Sequence, residues 1–160
     1  MTIKAGDRVP AGKFGIMTGS GPGSITSDEL FAGKKVIFFS VPGAFTPTCS
    51  NQHLPGYIKN AAALKAKGID TIACMSVNDV FVMDAWGRDR GAGDQVLMLA
   101  DGNGDYARAL GLELDASKFG LGQRSQRFSM IVDNGVVSEL NVEAPGEFKV
   151  STAECALGQL

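Results

Sequence analysis

The run Lys35-Val36-Ile37-Phe38-Phe39-Ser40-Val41-Pro42-Gly43-Ala44-Phe45-Thr46-Pro47-Thr48-Cys49-Ser50 passes from strand to loop to helix. Lys35 to Ser40 is short, β-branched and aromatic, the composition of a buried strand. Pro42 and Gly43 end that strand. Thr46 is a good N-cap and Pro47 is favoured at a first helical position, so a helix is expected to start here. Cys49 is then the third helical residue. Its backbone N–H is one of the unpaired donors of the first turn, and its sulfur sits at the positive end of the helix dipole. Such surroundings lower a thiol pKa and favour the nucleophilic thiolate. The competing reading is a small buried hydrophobe, the commoner fate of a free cysteine.

Outward from this stretch, the chain reads as alternating strands and helices. Toward the N-terminus, Gly6 to Gly23 is glycine-rich, and Lys13 to Thr18 within it alternates like one arm of an edge hairpin. Ser27 to Phe31 reads as a capped helical turn before Gly33. The helix that holds Cys49 is expected to run to about Lys67, kinked at Pro55, whose ring and missing N–H disturb a helix interior. Its apolar stripe is Tyr57, Ile58, Ala61, Leu64 and the stem of Lys65, and Gly68 ends it. Ile69 to Val77 is the next strand. Asn78-Asp79 turns into a helix through Phe81, Met83 and Trp86 that stops near Gly91. Val96 to Ala100 is a third buried strand, closed by Asp101-Gly102-Asn103-Gly104, and a short helix follows around Tyr106 to Leu110. Asp115 to Gln126 reads as a looser stretch with a hinge-like turn at Gly120-Leu121-Gly122. Asp133-Asn134-Gly135 is a strong hairpin signal between two strands, and a last helix is expected from about Thr152 to Leu160.

The order is β-α-β-α-β-α-β-β-α. Helices between successive strands imply a sheet covered on both faces, and the final hairpin makes that sheet mixed rather than purely parallel. The 160 residues fit a single domain, residues 1–160, with 44% hydrophobic and 20% charged residues as in ordinary globular chains. A net charge of −2 gives no electrostatic case for nucleic acid or an anionic membrane. No run of about 18 apolar residues is present to span a bilayer. Met1 to Asp7 carries neither a signal segment nor a transit pattern. Three cysteines, Cys49, Cys74 and Cys155, form no disulfide framework and no Cys-x-x-Cys pair, which points to a reducing cytoplasm. The only histidine, His53, is expected to cap or pack beside the helix. Zinc needs three or four ligands, so it is not assigned to a metal.

The pattern Pro42-x-x-x-Thr46-x-x-Cys49, in the form PGAFTPTCS, resembles the active-site signature of the peroxiredoxins, and within them the type II branch of plants and bacteria. Matching segments run from Gly6-Asp7 to the C-terminal helix. The resemblance implies a thioredoxin-like α/β fold with extra N-terminal strands. It also implies a thiol peroxidase that reduces hydrogen peroxide and small alkyl hydroperoxides, with no metal, flavin or haem.

Such chemistry needs a thiolate, donors that hold the peroxide, and a cation for the departing oxygen. Cys49 is the expected nucleophile. Thr46, on the same turn, would hydrogen-bond the peroxide and still cap the helix through its oxygen. Pro42, lacking an N–H, would shield the sulfur from water. A guanidinium keeps its proton in proteins, and Gly122 to Ser129 is similar to the type II segment with arginine immediately before Phe-Ser, which implies Arg127. Arg124 is the rival that spacing does not separate, with a solvated loop charge as its expected fate.

The product, a Cys49 sulfenic acid, must be reduced before it oxidises further. Some type II members carry a second cysteine matching Cys74 in Ala73-Cys74-x-Ser76-Val77-Asn78-Asp79, which implies a resolving thiol. Cys74 also reads as a core residue, and Cys155 as packing in the last helix. The chain ends before the C-terminal arm that carries the resolving cysteine in typical two-cysteine relatives. The favoured reductant is glutathione with glutaredoxin, ahead of thioredoxin. A weak homodimer through loops around the site is implied by the same resemblance, with Phe45, Phe81 and Trp86 read equally as its contact residues or as ordinary core aromatics. The alternative functional class is a redox sensor that uses Cys49 oxidation as a signal. A thioredoxin-like reductase is disfavoured, because residue 46 is Thr where Cys-x-x-Cys would need a second thiol.

Overall fold

The computed structural model describes residues 2–160. Its strands are β1 (Lys13–Thr18), β2 (Gly21–Thr26), β3 (Lys35–Ser40), β4 (Thr71–Ser76), β5 (Leu97–Ala100), β6 (Glu113–Asp115), β7 (Gln123–Ser125), β8 (Phe128–Asp133) and β9 (Val136–Val142). Between and around them lie α1 (Ser27–Phe31), α2 (Leu54–Lys59), α3 (Ala61–Ala66), α4 (Val80–Arg90), α5 (Asp105–Leu110) and α6 (Ala153–Gly158). Seven strands form one sheet in the order β2-β1-β5-β4-β3-β8-β9. β3, β4 and β5 are parallel, whereas β1, β8 and β9 join antiparallel. The expected mixed sheet is present, and β1 to β2 is the added N-terminal hairpin, with β2 rather than β1 at the edge.

β3 seeds two cores because its side chains alternate across the sheet. Val36 and Phe38 face one cluster, Ile37 and Phe39 the other. Phe38 meets Phe14, Phe31, Tyr106 and Phe128 at ring-centroid distances between 5.7 and 6.1 Å. Each such buried side chain contributes about 1.5–3 kcal/mol by leaving water. On the other face Phe39 stacks on Tyr57 at 4.0 Å and touches His53 at 4.8 Å. Cys49, Cys74 and Trp86 belong to this second core. The carboxyl end of β3 therefore delivers the chain directly to the cysteine.

Several local expectations hold. Thr26, just before the expected turn, closes a capping box with Glu29 at the start of α1. Asp79 caps α4 by accepting the Val82 N–H, and Gly91 ends it in the left-handed conformation. Asn134 and Gly135 take φ 48° and 81°, the pair of positive angles a two-residue hairpin turn requires. Thr152 caps α6 by accepting the Cys155 N–H.

Three expectations need correction. The Pro55 kink is absorbed upstream: Cys49 to His53 form a π-helical turn in which the Leu54 N–H reaches the Cys49 carbonyl five residues back. Pro55 has no N–H to offer in the following turn, and a widened turn avoids driving its ring into a carbonyl. The helix then breaks at Asn60, whose side-chain amide donates to the Gly56 carbonyl, so α2 and α3 are separate. Asp115 to Gln126 is not loose. β7 pairs with β6 in a small hairpin around a 3₁₀ turn at Ser117–Phe119. Trp86 is fully buried and donates its indole N–H to Ser50 Oγ at 2.8 Å, so it is a core residue and not a surface contact.

Candidate active site

The helix that carries Cys49 begins at Pro47, as its sequence predicts, and Cys49 is its third residue. Four anchors set the loop before it. The Val41 N–H donates to the Met75 carbonyl, prolonging the β3–β4 pairing past the strand end. The Ala44 N–H donates to Asn78 Oδ1, which also accepts the Ser76 hydroxyl. Arg124 donates through Nη1 to the Pro42 carbonyl at 3.3 Å and through Nε to the Leu121 carbonyl at 2.9 Å. Finally, Thr46 donates its hydroxyl to the Gly43 carbonyl at 2.8 Å. Gly43 is confined here: a Cβ would lie 3.0 Å from Arg124 Nη1 and 3.1 Å from the Thr46 methyl. Phe45 turns the chain with φ 66°, an uncommon value for a residue with a side chain.

Two readings change accordingly. Thr46 does not cap the helix through its oxygen; its hydrogen is directed at Gly43, which tightens the loop. Arg124 is no solvated loop charge. It is half-buried and pinned to the carbonyl of the proline that leads into the site.

Cys49 is fully buried, and Arg127 Nη2 donates to its sulfur at 3.0 Å. The structure thus separates the two arginines, with Arg127 on the sulfur and Arg124 on the loop. The second edge of the Arg127 guanidinium is held by His53, with Nη1 2.9 Å from Nδ1. On its far side His53 Nε2 lies 3.0 Å from the Ser151 carbonyl. A guanidinium only donates and a carbonyl only accepts, so the ring carries its proton on Nε2 and offers the Nδ1 lone pair to Arg127. Burial first, then the Arg127 charge, push the His53 pKa down to about 3, so the ring is neutral.

Ser151 is itself clamped. Its carbonyl also accepts the Tyr57 hydroxyl at 2.9 Å. Its N–H and hydroxyl both go to Glu143, which further accepts the N–H groups of Lys149 and Val150. Burial pushes the Glu143 carboxyl up, but these donors outweigh it and hold it below the usual range. Phe148, from the same loop, packs against His53 at 5.0 Å and lies 5.8 Å under the Arg127 guanidinium.

A cleft of about 310 Å³ opens beside this group, lined by Pro42, Thr48, Leu114, Arg127, Pro145 and Glu147 among others. It gives a small polar molecule a route to Arg127, with apolar wall alongside. Cys74 is also fully buried, and burial followed by the proximity of Cys49 pushes its thiol well above the ordinary value. Cys155 is half-buried, with its thiol on the Lys149 carbonyl at 3.1 Å. All three cysteines are free. No helix among the described residues is long and apolar enough to cross a membrane.

Arg127 meets Cys49, Pro42 lines the same cleft as Arg127, and Thr46 lies one turn before Cys49 with its hydroxyl on Gly43, while Cys74 lies in β4, in the same core as Cys49. The sequence reading missed His53, Glu143 and Ser151 as parts of the site. His53 had a usable signal, since residues four apart share a helix face and Cys49 and His53 are so spaced. Glu143 and Ser151 had none, because their roles depend on a loop closing onto another element.

Comparison with known proteins agrees with this geometry. The Redoxin family model matches residues 4–157. Peroxiredoxin-2C of Arabidopsis thaliana is 50% identical over 159 residues, covering 99% of this chain and 98% of that protein. Peroxiredoxin-2C of Oryza sativa subsp. japonica is 51% identical over 153 residues, covering 95% and 94%. Among solved structures, reduced Prx3 from Vibrio vulnificus in complex with hydrogen peroxide is 55% identical, with a TM-score of 0.95 and 99% of each chain covered. With the cysteine signature, the sheet and the buried thiol–guanidinium contact in place, these matches establish that the chain belongs to the redoxin family as a type II peroxiredoxin, a thiol peroxidase.

Proposed function

We propose that Cys49 is the peroxide-reacting thiol and that it reduces hydrogen peroxide and small alkyl hydroperoxides without metal, flavin or haem. The thiolate attacks one peroxide oxygen and the O–O bond breaks. The departing oxygen takes a proton to leave as water or alcohol, and the sulfur is left as sulfenic acid. Arg127 balances the charge on sulfur and then on the leaving oxygen. The Thr46 hydroxyl, by swinging from Gly43, bonds the peroxide. Pro42 covers the sulfur without offering a competing donor. The observation that carries this reading is the Arg127 Nη2 contact at 3.0 Å to a fully buried Cys49 Sγ, with Arg127 itself lining an accessible cleft.

An outside thiol then reduces the sulfenic acid, glutathione with glutaredoxin ahead of thioredoxin. In support, Cys74 is held inside β4 with its thiol pKa raised, both of which oppose its attack on Cys49. We place the protein in a reducing cytoplasm, in keeping with its three free thiols, and as a weak homodimer through the loops that rim the site. A sensor role is disfavoured because a sensor has no need of the full set of Pro42, Thr46, Cys49 and Arg127.

The test is intact mass after one equivalent of hydrogen peroxide is added to reduced protein. One added oxygen on Cys49, absent in Cys49→Ser and cleared by glutathione, is the expected result. A two-hydrogen loss that disappears in Cys74→Ser overturns the outside-thiol route. No change at Cys49 within seconds overturns the peroxidase assignment of this residue.

A further inference from the structure

The β6–β7 hairpin reaches the loop before Cys49 through one long side chain. We propose that Arg124 is a positioning residue that sets the width of the peroxide cleft. It ties Pro42 to the hairpin that supplies Leu114, and so favours small hydroperoxides over bulky ones. The inference rests on the reading that Cys49 reacts with peroxide through this cleft.

Arg124 and Leu114 are directly paired across the hairpin. Opposed residues of an antiparallel pair stand on the same face. The arginine that grips the loop and the leucine that lines the cleft therefore project from one side of the hairpin. Pro42 and Leu114 both line the cleft, which measures about 310 Å³. One comes from the loop after β3 and the other from β6, so no single strand fixes the distance between them. Arg124 does. Its Nε donates to the Leu121 carbonyl at 2.9 Å, within its own hairpin, and its Nη1 to the Pro42 carbonyl at 3.3 Å. The planar guanidinium makes these two bonds one rigid brace. No carboxylate pairs with Arg124 among the described residues, so its donors serve the main chain rather than an ion pair.

The brace has no slack on the loop side. A Cβ on Gly43 would lie 3.0 Å from Arg124 Nη1 and 3.1 Å from the Thr46 methyl, so the guanidinium is wedged against the residue that follows Pro42. Next along β7, Ser125 Oγ accepts the hydroxyl of buried Ser40 at 2.8 Å, which fixes the end of β3 to the same strand. Two residues further on, Arg127 reaches the sulfur. The segment from Arg124 to Arg127 thus holds both the cation beside the thiol and the proline at the mouth of the cleft. Hydrogen peroxide enters a narrow gap, whereas a hydroperoxide carrying an aromatic ring needs the walls apart.

Two peroxides of different size read this directly. The second-order rates of Cys49 oxidation by hydrogen peroxide and by cumene hydroperoxide are measured on the reduced protein, and their ratio is compared between variants. Arg124→Met keeps an apolar stem and loses both donors. It is expected to slow hydrogen peroxide about tenfold, the scale of a small misplacement at a reacting centre. Cumene hydroperoxide should slow much less, so the ratio moves toward the bulky substrate. Arg124→Lys keeps the charge but has no planar fork, and it should move the ratio the same way. An arginine that merely supports the fold would lower both rates by one factor, in step with the melting temperature. A ratio that stays at the wild-type value in either variant, or moves toward hydrogen peroxide, would overturn the proposal.

Should the Arg124 variants fold poorly, Gly43→Ala tests the brace with the arginine in place. The added methyl pushes Nη1 away from Pro42, and the same shift toward cumene hydroperoxide is expected; an unchanged ratio overturns the proposal. A wild-type Cys49 that oxidises with neither peroxide would sink the functional reading instead, a result distinct from any change in the ratio.

Discussion

At the scale of single residues, a buried neutral histidine has a consequence for stability that can be signed in advance. In the unfolded chain His53 takes up a proton near pH 6.5, whereas in the folded protein it resists until about 3. Between those values the unfolded state binds more protons, so the stabilising contribution is full above about 6.5 and is lost progressively as pH falls. The slope approaches about 1.4 kcal/mol per pH unit, the limit for one proton. Because the chain has one histidine and ordinary carboxylates titrate near 4, the interval from about pH 6 to 5 isolates this group. Urea unfolding at those two pH values should show a loss in wild type that disappears in His53→Asn; equal losses in both would show that His53 is not neutral and buried. Glu143 acts in a lower window. Its folded pKa is depressed, so its contribution is present above about 4.3, the unfolded value, and fades as pH falls through the folded one. As pH falls, the stability contributed by His53 therefore begins to decline before that contributed by Glu143.

At the scale of elements, the π-helical turn is where helix, sheet and site meet, and α4 holds it from behind. Ser50, the residue after the nucleophile, accepts the Trp86 indole N–H inside the core. Ser50→Ala leaves that N–H buried without a partner, at a cost of about 1–3 kcal/mol. Trp86→Phe in the same background removes the orphaned donor, so the double variant should be less unstable than the two single losses added together. Strict additivity in a double-mutant cycle would show that Ser50 and Trp86 do not act as a pair. What could be read from sequence at this scale was whatever residue chemistry fixes locally: the apolar run of β3, Pro47 at the helix start, the Asp79 cap, and Asn134-Gly135 at the hairpin. The π turn escaped because Pro55 announces a disturbance but not whether it bends the helix at its own position or widens the turn before it. The β6–β7 hairpin escaped because three-residue strands carry too little alternation to register. Spacing alone did not separate Arg124 from Arg127, which only the resemblance favoured, since both lie within reach of the loop and the fold shows which one turns toward sulfur. His53 was seen but not understood, because its second partner lies 98 residues away.

At the scale of the whole molecule, the apolar residues left in water bear on assembly. Both cores are closed, yet Phe45, Phe81 and Phe119 remain 49%, 61% and 74% exposed. Phe45 turns the active-site loop beside α4, 6.4 Å from the Trp86 ring, and Phe81 sits on the first turn of that helix. Phe119 belongs to the separate 3₁₀ turn within the β6–β7 hairpin. An isologous dimer over the rim of the site would use each of its residues twice, once per subunit. Full burial of a phenylalanine is worth about 1.5–3 kcal/mol, and with part of each ring already covered the gain per copy lies at the lower end. Doubled by symmetry, about 3 kcal/mol corresponds to roughly a hundredfold in the dimer constant. Phe81→Glu also sets two like charges near one another across the axis, which adds to the loss. Sedimentation of the reduced protein should therefore show a concentration-dependent dimer that Phe81→Glu shifts to monomer, with the melting temperature nearly unchanged because the ring makes little contribution to the core. A dimer that survives Phe81→Glu and Phe45→Glu but dissociates in Phe119→Glu would move the interface to the β6–β7 hairpin. A monomer at all concentrations would leave the three rings with no partner of their own kind.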